Sequence, residues 1–199
     1  MNVGTATKLY VSKMLENTGK GMKVFLLGKE TLSLISMTYA QSDLLKEEVY
    51  LFERIDNQSR ENMKHMKCIT FLRPTAHNVE LLIKELKNPR YGAYYIYFSN
   101  ILERGDIKRL AEADDGESVK ELQEFYADYI PVLDHAFTLN LTAIARRGTL
   151  WEMPAKKRTA DALISILLSL KKLPVIRYST KSDLAKRLAE QVPVPLSID

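Results

Sequence analysis

Between Val49 and Thr75 the chain carries two short apolar runs, each closed by a polar turn. Val49-Tyr50-Leu51-Phe52 stops at Glu53-Arg54-Ile55-Asp56, and Cys68-Ile69-Thr70-Phe71-Leu72 stops at Arg73-Pro74-Thr75. Continuous runs this short, rich in β-branched and aromatic side chains, read as strands covered on both faces, because a strand with one wet face alternates instead. Met22 to Leu27 and Tyr94 to Phe98 repeat the pattern, with helix-like segments between. The expected fold class is therefore α/β, a three-layer, parallel-sheet (Rossmann-like) sandwich.

Helical spacing fills the gaps. Leu9, Tyr10, Val11, Met14 and Leu15 predict an amino-terminal helix stopped by Asn17-Thr18-Gly19. Lys29 to Met37 is expected to be helical, and Gln41-Ser42-Asp43 to cap a short helix carrying Leu44 and Leu45. Thr75 is a good N-cap for a helix with Val79, Leu82, Ile83 and Leu86 on one stripe. Asn57 to Lys67 reads as a polar connection, in which Met63 and Met66 serve packing and His65 lies at the surface. Ile107, Leu110 and Ala111 predict a short helix, and after Asp114-Asp115-Gly116 the residues Val119, Leu122, Phe125 and Tyr126 predict a longer one.

Asp128 to Val132 is read as a strand ended by Pro131. The character of the chain then changes, which places a domain boundary near Leu133 to His135, giving units 1–133 and 134–199. In the second unit, Ala155 to Leu173 predicts a long amphipathic helix ended by Pro174. Ser182 caps a last helix with Leu184, Ala185 and Leu188, and Gln191 to Asp199 is expected to fray.

A length of 199 residues buries roughly 70% of the unfolded surface without disulfides, and the single Cys68 has no partner within the chain. It reads as a small core residue in a reducing compartment, the cytosol. The net charge of +4 is too mild to argue for nucleic acid. Its distribution is uneven: from Asn140 onward eleven Lys/Arg face five Asp/Glu, so that part carries +6 and residues 1–139 carry −2. The pairs Arg146-Arg147, Lys156-Lys157-Arg158 and Lys171-Lys172 read as a solvated face, with an acidic partner or anionic lipid as the secondary reading. The start is no signal peptide, and Ala162 to Leu170 is far below the ~20 residues a bilayer needs.

Open α/β sheets take ligands at the carboxyl ends of their strands. Those ends show no Gly-x-Gly-x-x-Gly fingerprint and no Gly-x-Ser-x-Gly elbow, and His65, His77, His135 and Cys68 lack metal-ligand spacing. Gly19-Lys20-Gly21 precedes a strand instead of following one, so it is no phosphate loop. The Tyr94 to Phe98 run lacks the accompanying signature of an RNA-stacking sheet. A binding module without cofactor or metal fits better than an enzyme. The alternative is a nucleotide-dependent α/β enzyme using Glu53, Asp56 and Asn100 at the strand ends.

The stretches GMKVFLLGKETLSLISMTYAQSDLLKEEVYLFERID, FLRPT, YFSN, LAEAD, VKELQEFYADY and LLSLKKLPVIRY, in that order, resemble the amino-terminal part of the Sec/Munc (SM) family of SNARE regulators. The similarity covers about residues 1–190. It implies a non-enzymatic, cytosolic protein that binds a syntaxin-type Qa-SNARE and the assembled SNARE complex. Such a protein associates peripherally with endosomal and Golgi membranes through the SNARE, and promotes vesicle docking and fusion. It also implies that the syntaxin amino-terminal peptide docks in an apolar pocket at Ile107, Leu110, Ala111, Val119, Leu122 and Glu124, pictured as a cleft between two helices. Leu110 and Leu122 fit ordinary inter-helix packing equally well. A central cleft for the syntaxin helical bundle would receive Asp43, Glu53, Arg54 and Asp56. Family members continue well past the point matching VPVPLSID, so residues 134–199 are expected to be the first half of a discontinuous second domain, with part of the apolar stripe of the long helix left exposed.

Overall fold

The computed structural model describes residues 2–141, 145–146, 150–151 and 153–192. Arg147 and the expected frayed end from residue 193 lie outside them, as does the side chain of Arg146.

Five strands, β1 (Lys23–Leu27), β2 (Val49–Arg54), β3 (Met63–Leu72), β4 (Tyr91–Phe98) and β5 (Val119–Glu124), pair in the order β2-β1-β3-β4-β5. Every pairing is parallel. Alternation along β1 sends Val24 and Leu26 to one face and Phe25 and Leu27 to the other, and all four are fully buried. On the first face Val24 and Leu26 meet Cys68, Tyr94 and Ile96 from the sheet, Val79, Leu82 and Leu86 from α4 (Ala76–Lys87), and Leu110 from α5 (Arg104–Ala113). On the second, Phe25, Leu27, Ile69 and Phe71 meet Val11 and Met14 from α1 (Val3–Thr18), Leu34 and Ile35 from α2 (Lys29–Thr38), and Leu44 from α3 (Gln41–Lys46). The expected three-layer α/β sandwich is this arrangement. Thr75 caps α4 as expected, its hydroxyl accepting from Asn78 N at 3.2 Å.

Five expectations need correcting. The segment Val119 to Glu124 is a strand, not a helix. A shift in the pairing between Tyr94 and Tyr95 inserts one extra residue on β5, so Val119 lies opposite Tyr94 and Leu122 opposite Ile96. The bulge thus puts residues three apart on one face, which imitates a helical stripe. The cleft pictured between two helices is instead a surface between α5 and the edge strand β5. Second, β3 begins at Met63, inside the stretch read as a connection; Met66 is buried there, Met63 half-buried and His65 exposed.

Third, β6 (Ile130–Leu133) belongs to a separate antiparallel hairpin with β7 (Ala136–Thr138), and Pro131 lies within it, opposite Phe137. The boundary expected near Leu133 to His135 falls at the turn of this hairpin, where Val3 N donates to the Asp134 carbonyl at 2.8 Å. Fourth, after the short pair β8 (Ala145–Arg146) and β9 (Leu150–Trp151), α6 runs Met153–Ser169 and stops short of Pro174. Lys171 adopts φ 49° and Lys172 N donates to the Leu167 carbonyl at 3.1 Å, a left-handed stop that ends the helix without proline. In addition, α3 starts from Ala40 with no side-chain cap, so Gln41 to Asp43 lie inside it. The last helix, α7 (Asp183–Ala189), is capped by Ser182.

Candidate partner-docking surfaces

The first candidate surface joins α5 to β5. Leu110 and Ala113 point from α5 into the core, where half-buried Val119 and Leu122 pack against the same cluster. The turn between the two elements is fixed by Asp114, whose carboxylate accepts from Ser118 N at 2.9 Å, Ser118 Oγ at 2.6 Å and Val119 N at 2.9 Å. Burial pushes the Asp114 carboxyl up, and these hydrogen bonds outweigh it, leaving the group below its ordinary range.

The six residues implied by the resemblance divide by exposure. Ile107 is 39% exposed and Ala111 is exposed, whereas Leu110 is 2% exposed and belongs to the core. Glu124 is half-buried and already engaged: Oε1 accepts Leu102 N at 2.7 Å and Oε2 lies 3.4 Å from Tyr126 Oη. A ligand at this surface would therefore meet Ile107 and Ala111 directly, the flanks of Val119 and Leu122, and the outer edge of Glu124.

The second candidate surface lies at the carboxyl end of β2. Phe52, Glu53, Arg54, Asp56 and Asn57 line an open concavity of about 590 Å³. Arg54 Nε donates to Asp56 Oδ1 at 2.9 Å, and this bond from Arg54 holds the Asp56 carboxyl below its usual range. Glu53 receives a hydrogen bond from the Tyr91 hydroxyl. Asp43 does not join this group: it lies on α3, ahead of the first residue of β2, and pairs with Lys46 at 3.0 Å.

The polar groups at the strand ends have partners within the chain. Glu53 is held by Tyr91, Asp56 by Arg54, and Asn100 Nδ2 donates to Asp128 Oδ2 at 3.2 Å and to the Asp161 carbonyl at 3.0 Å. Each group read as a possible ligand for the alternative enzyme already has a neighbour within the chain, and that reading has no support. Cys68 is fully buried and burial pushes its thiol up, away from nucleophilic character. Among the described residues no group of three or more His, Cys, Asp or Glu could hold a metal ion.

One cluster at these ends escapes a reading of motifs. Asp128, taken from sequence only as the start of a strand, is 4% exposed and receives Arg73 and Arg158 as well as Asn100. Its partners lie 28 to 55 residues away, so no local spacing announces it.

Comparison with known proteins places this geometry. The Sec1 family model matches residues 23–193. Vacuolar protein sorting-associated protein 45 of Mus musculus is 54% identical over 197 residues, covering 99% of this chain and 34% of that protein. The Arabidopsis thaliana homologue is 40% identical over 199 residues, covering 94% of this chain and 34% of its own length. The chain thus spans about a third of these relatives. A solved structure of the SM protein Vps45 in complex with the Qa SNARE Tlg2 superposes with a TM-score of 0.91 at 44% identity, over 96% of this chain and 35% of that one. On its sheet order, the resemblance in its motifs and a family match over most of its length, the chain belongs to the Sec1 family.

Proposed function

We propose that this chain is the Qa-SNARE-binding part of a non-enzymatic regulator of vesicle docking and fusion in endosomal, trans-Golgi and vacuolar (lysosomal) transport. The observation that carries the reading is its likeness, at 44% identity and a TM-score of 0.91, to a Vps45 held by the Qa SNARE Tlg2. In this reading the SNARE's amino-terminal peptide seats an apolar side chain against Ile107 and Ala111, with Val119 and Leu122 as walls and Glu124 at the rim. Leu110 supports that surface from beneath. The polar concavity at Glu53, Arg54 and Asp56 receives the SNARE helical bundle, and Asp43, on α3, is not among its lining residues. Residues 1–133 form the first domain, and residues 134–199 contribute the opening part of a second.

Association with Golgi and endosomal membranes is peripheral and runs through the SNARE. No helix among the described residues is long and apolar enough to cross a membrane. The catalytic role is nil because the work is recognition: an exposed isoleucine beside a bulged edge strand offers an anchor point for a peptide.

Calorimetric titration with a syntaxin-type amino-terminal peptide tests the assignment on the wild-type chain and on Ile107→Arg. A charge in an apolar anchor site is expected to weaken binding by ~2 kcal/mol or more. Equal binding by the two proteins would remove Ile107 from the site, and binding by neither would remove peptide capture by this chain.

A further inference from the structure

The helix α6 stands outside both layers of the sandwich, yet it is fastened to it through charge. The Asp128 carboxylate, just after β5, gathers donors from three other places. Arg73 Nε, at the end of β3, donates to Oδ1 at 2.7 Å; Asn100 Nδ2, beyond β4, to Oδ2 at 3.2 Å; and Arg158 Nη1, on α6, to Oδ2 at 3.0 Å. The same Arg158 guanidinium also reaches the Asp128 carbonyl, Nη2 to O at 2.8 Å. Two further bonds come from α6: Ser165 Oγ accepts Asp128 N at 2.9 Å, and the Asp161 carbonyl accepts Asn100 Nδ2 at 3.0 Å.

The apolar seam beside this network is thin. The buried residues of α6 are Ala155, Ala160, Ala162, Ser165 and Ile166; of these Ile166 joins a small hydrophobic cluster with Val3 and Tyr129, against which half-buried Leu163 of the same helix and Phe137, Leu139 and Leu170 pack. Small side chains permit close approach but bury little area, so they contribute little to holding the helix. The space left beside Arg73, Asp128 and Ser99 is about 10 Å³, room for one water at most. Open α/β sheets take their ligands at these strand ends. Here the Asp128 carboxylate at these ends is taken by the chain's own Arg158 guanidinium.

We propose that Arg158 is an internal ligand of the strand-end crevice, the tongue of an ionic clasp centred on Asp128 that docks α6 over the carboxyl ends of β3 and β4 and opens without unfolding the sandwich. An ion pair withdrawn from water gains little net free energy while both partners are present, but leaves a costly uncompensated charge when one is removed. Docking through such a pair is therefore close to all-or-none. Burial disfavours the Arg158 charge; Asp128 offsets that in part, and Arg73 opposes it. The remaining charged neighbours are Glu30, 3.8 Å from Arg73, and Asp161.

Hydrogen exchange on the 199-residue chain tests the clasp, with wild type, Arg158→Ala and Arg158→Lys compared. In Arg158→Ala the amides of α6 are expected to exchange about tenfold faster or more, with those of β3, β4 and α4 within about twofold of wild type. Arg158→Lys keeps the charge but not the fork that spans Oδ2 and the carbonyl, and is expected to fall between the two. Added ethylguanidinium, which can enter the emptied crevice, is expected to slow α6 exchange in Arg158→Ala and to leave wild type unaffected. Unchanged α6 exchange in Arg158→Ala overturns the proposal, because Ile166 and the alanines would then suffice. Loss of protection spread equally over the sandwich, or no response to ethylguanidinium, overturns it as well.

Discussion

The α-carbon of Gly92 on β4 faces the carbonyl oxygen of Lys64 on β3 so closely that a β-carbon there would lie well inside contact distance of it. The approach follows from an irregularity in the pairing of the two strands between Met63 and Lys67, which brings the Lys64 backbone over Gly92. Both contacting atoms are main chain, so no side chain can swing away. Gly92→Ala is expected to destabilise the chain by about 2 kcal/mol or more through forced backbone displacement. Urea unfolding checks this, and a midpoint equal to wild type would show that the strands part easily.

Glu85 is the next test of what holds the first layer. Its carboxylate, 1% exposed, accepts from Tyr94 Oη at 2.6 Å, Arg60 Nη2 at 2.9 Å and Arg90 Nη1 at 2.6 Å. Removing one partner of a buried pair strands the other, so Glu85→Leu is expected to cost about 3–5 kcal/mol. The double variant with Arg60→Leu removes both buried charges and is expected to recover part of that loss. A double-mutant cycle measured by denaturation gives the coupling, and additive losses would mean that Arg60 and Glu85 act independently.

What could be read from sequence follows the range of the interaction. The apolar runs of β1, the start of β2, the end of β3 and most of β4 announce themselves because a covered strand segment is continuously apolar, and α4 because its stripe and its Thr75 cap are local. The start of β3 was hidden because Lys64, His65 and Lys67 are polar, although Lys67 Nζ is occupied by the Thr18 carbonyl at 2.8 Å. The strand β5 was hidden by a bulge, which is a relationship to Tyr94 and Tyr95 and leaves no mark in its own composition. Likewise the family resemblance implies a pocket holding both Leu110 and Ile107, with ordinary packing left open for Leu110, and the packing decides between the two readings for Leu110.

Those two residues, one turn apart on α5, are expected to report different properties. Leu110 is buried among the first-layer residues, so Leu110→Ala is expected to cost about 2–5 kcal/mol of stability. Ile107 is 39% exposed, and Ile107→Ala is expected to stay within about 0.5 kcal/mol of wild type. If the α5 surface takes a peptide, the order reverses for binding: Ile107→Ala weakens affinity, whereas folded Leu110→Ala binds nearly as wild type. Thermal denaturation and peptide titration on the same two variants separate the roles, and a stability loss at Ile107 matching that at Leu110 would identify both as core.

Asp114 links the same surface to pH. Its carboxyl is held below its ordinary range in the fold, because the hydroxyl of Ser118 and the amides of Ser118 and Val119 outweigh the upward push of burial. A depressed carboxyl stabilises the fold above its unfolded value, near pH ~3.9, and that stabilisation is lost as pH falls through the lower folded value. Asp114→Asn keeps an oxygen acceptor but no charge, so the stability gap between it and wild type is expected to be full at neutral pH and to narrow below about pH 4. Asp56 is also held low by Arg54, but the pair stands exposed and contributes little. Denaturant midpoints of both proteins between neutral pH and the acid range give the comparison. Parallel curves would mean that the turn leading into β5 is held by geometry alone, and narrowing would show that the Asp114 charge helps set the edge strand on which Val119 and Leu122 are displayed.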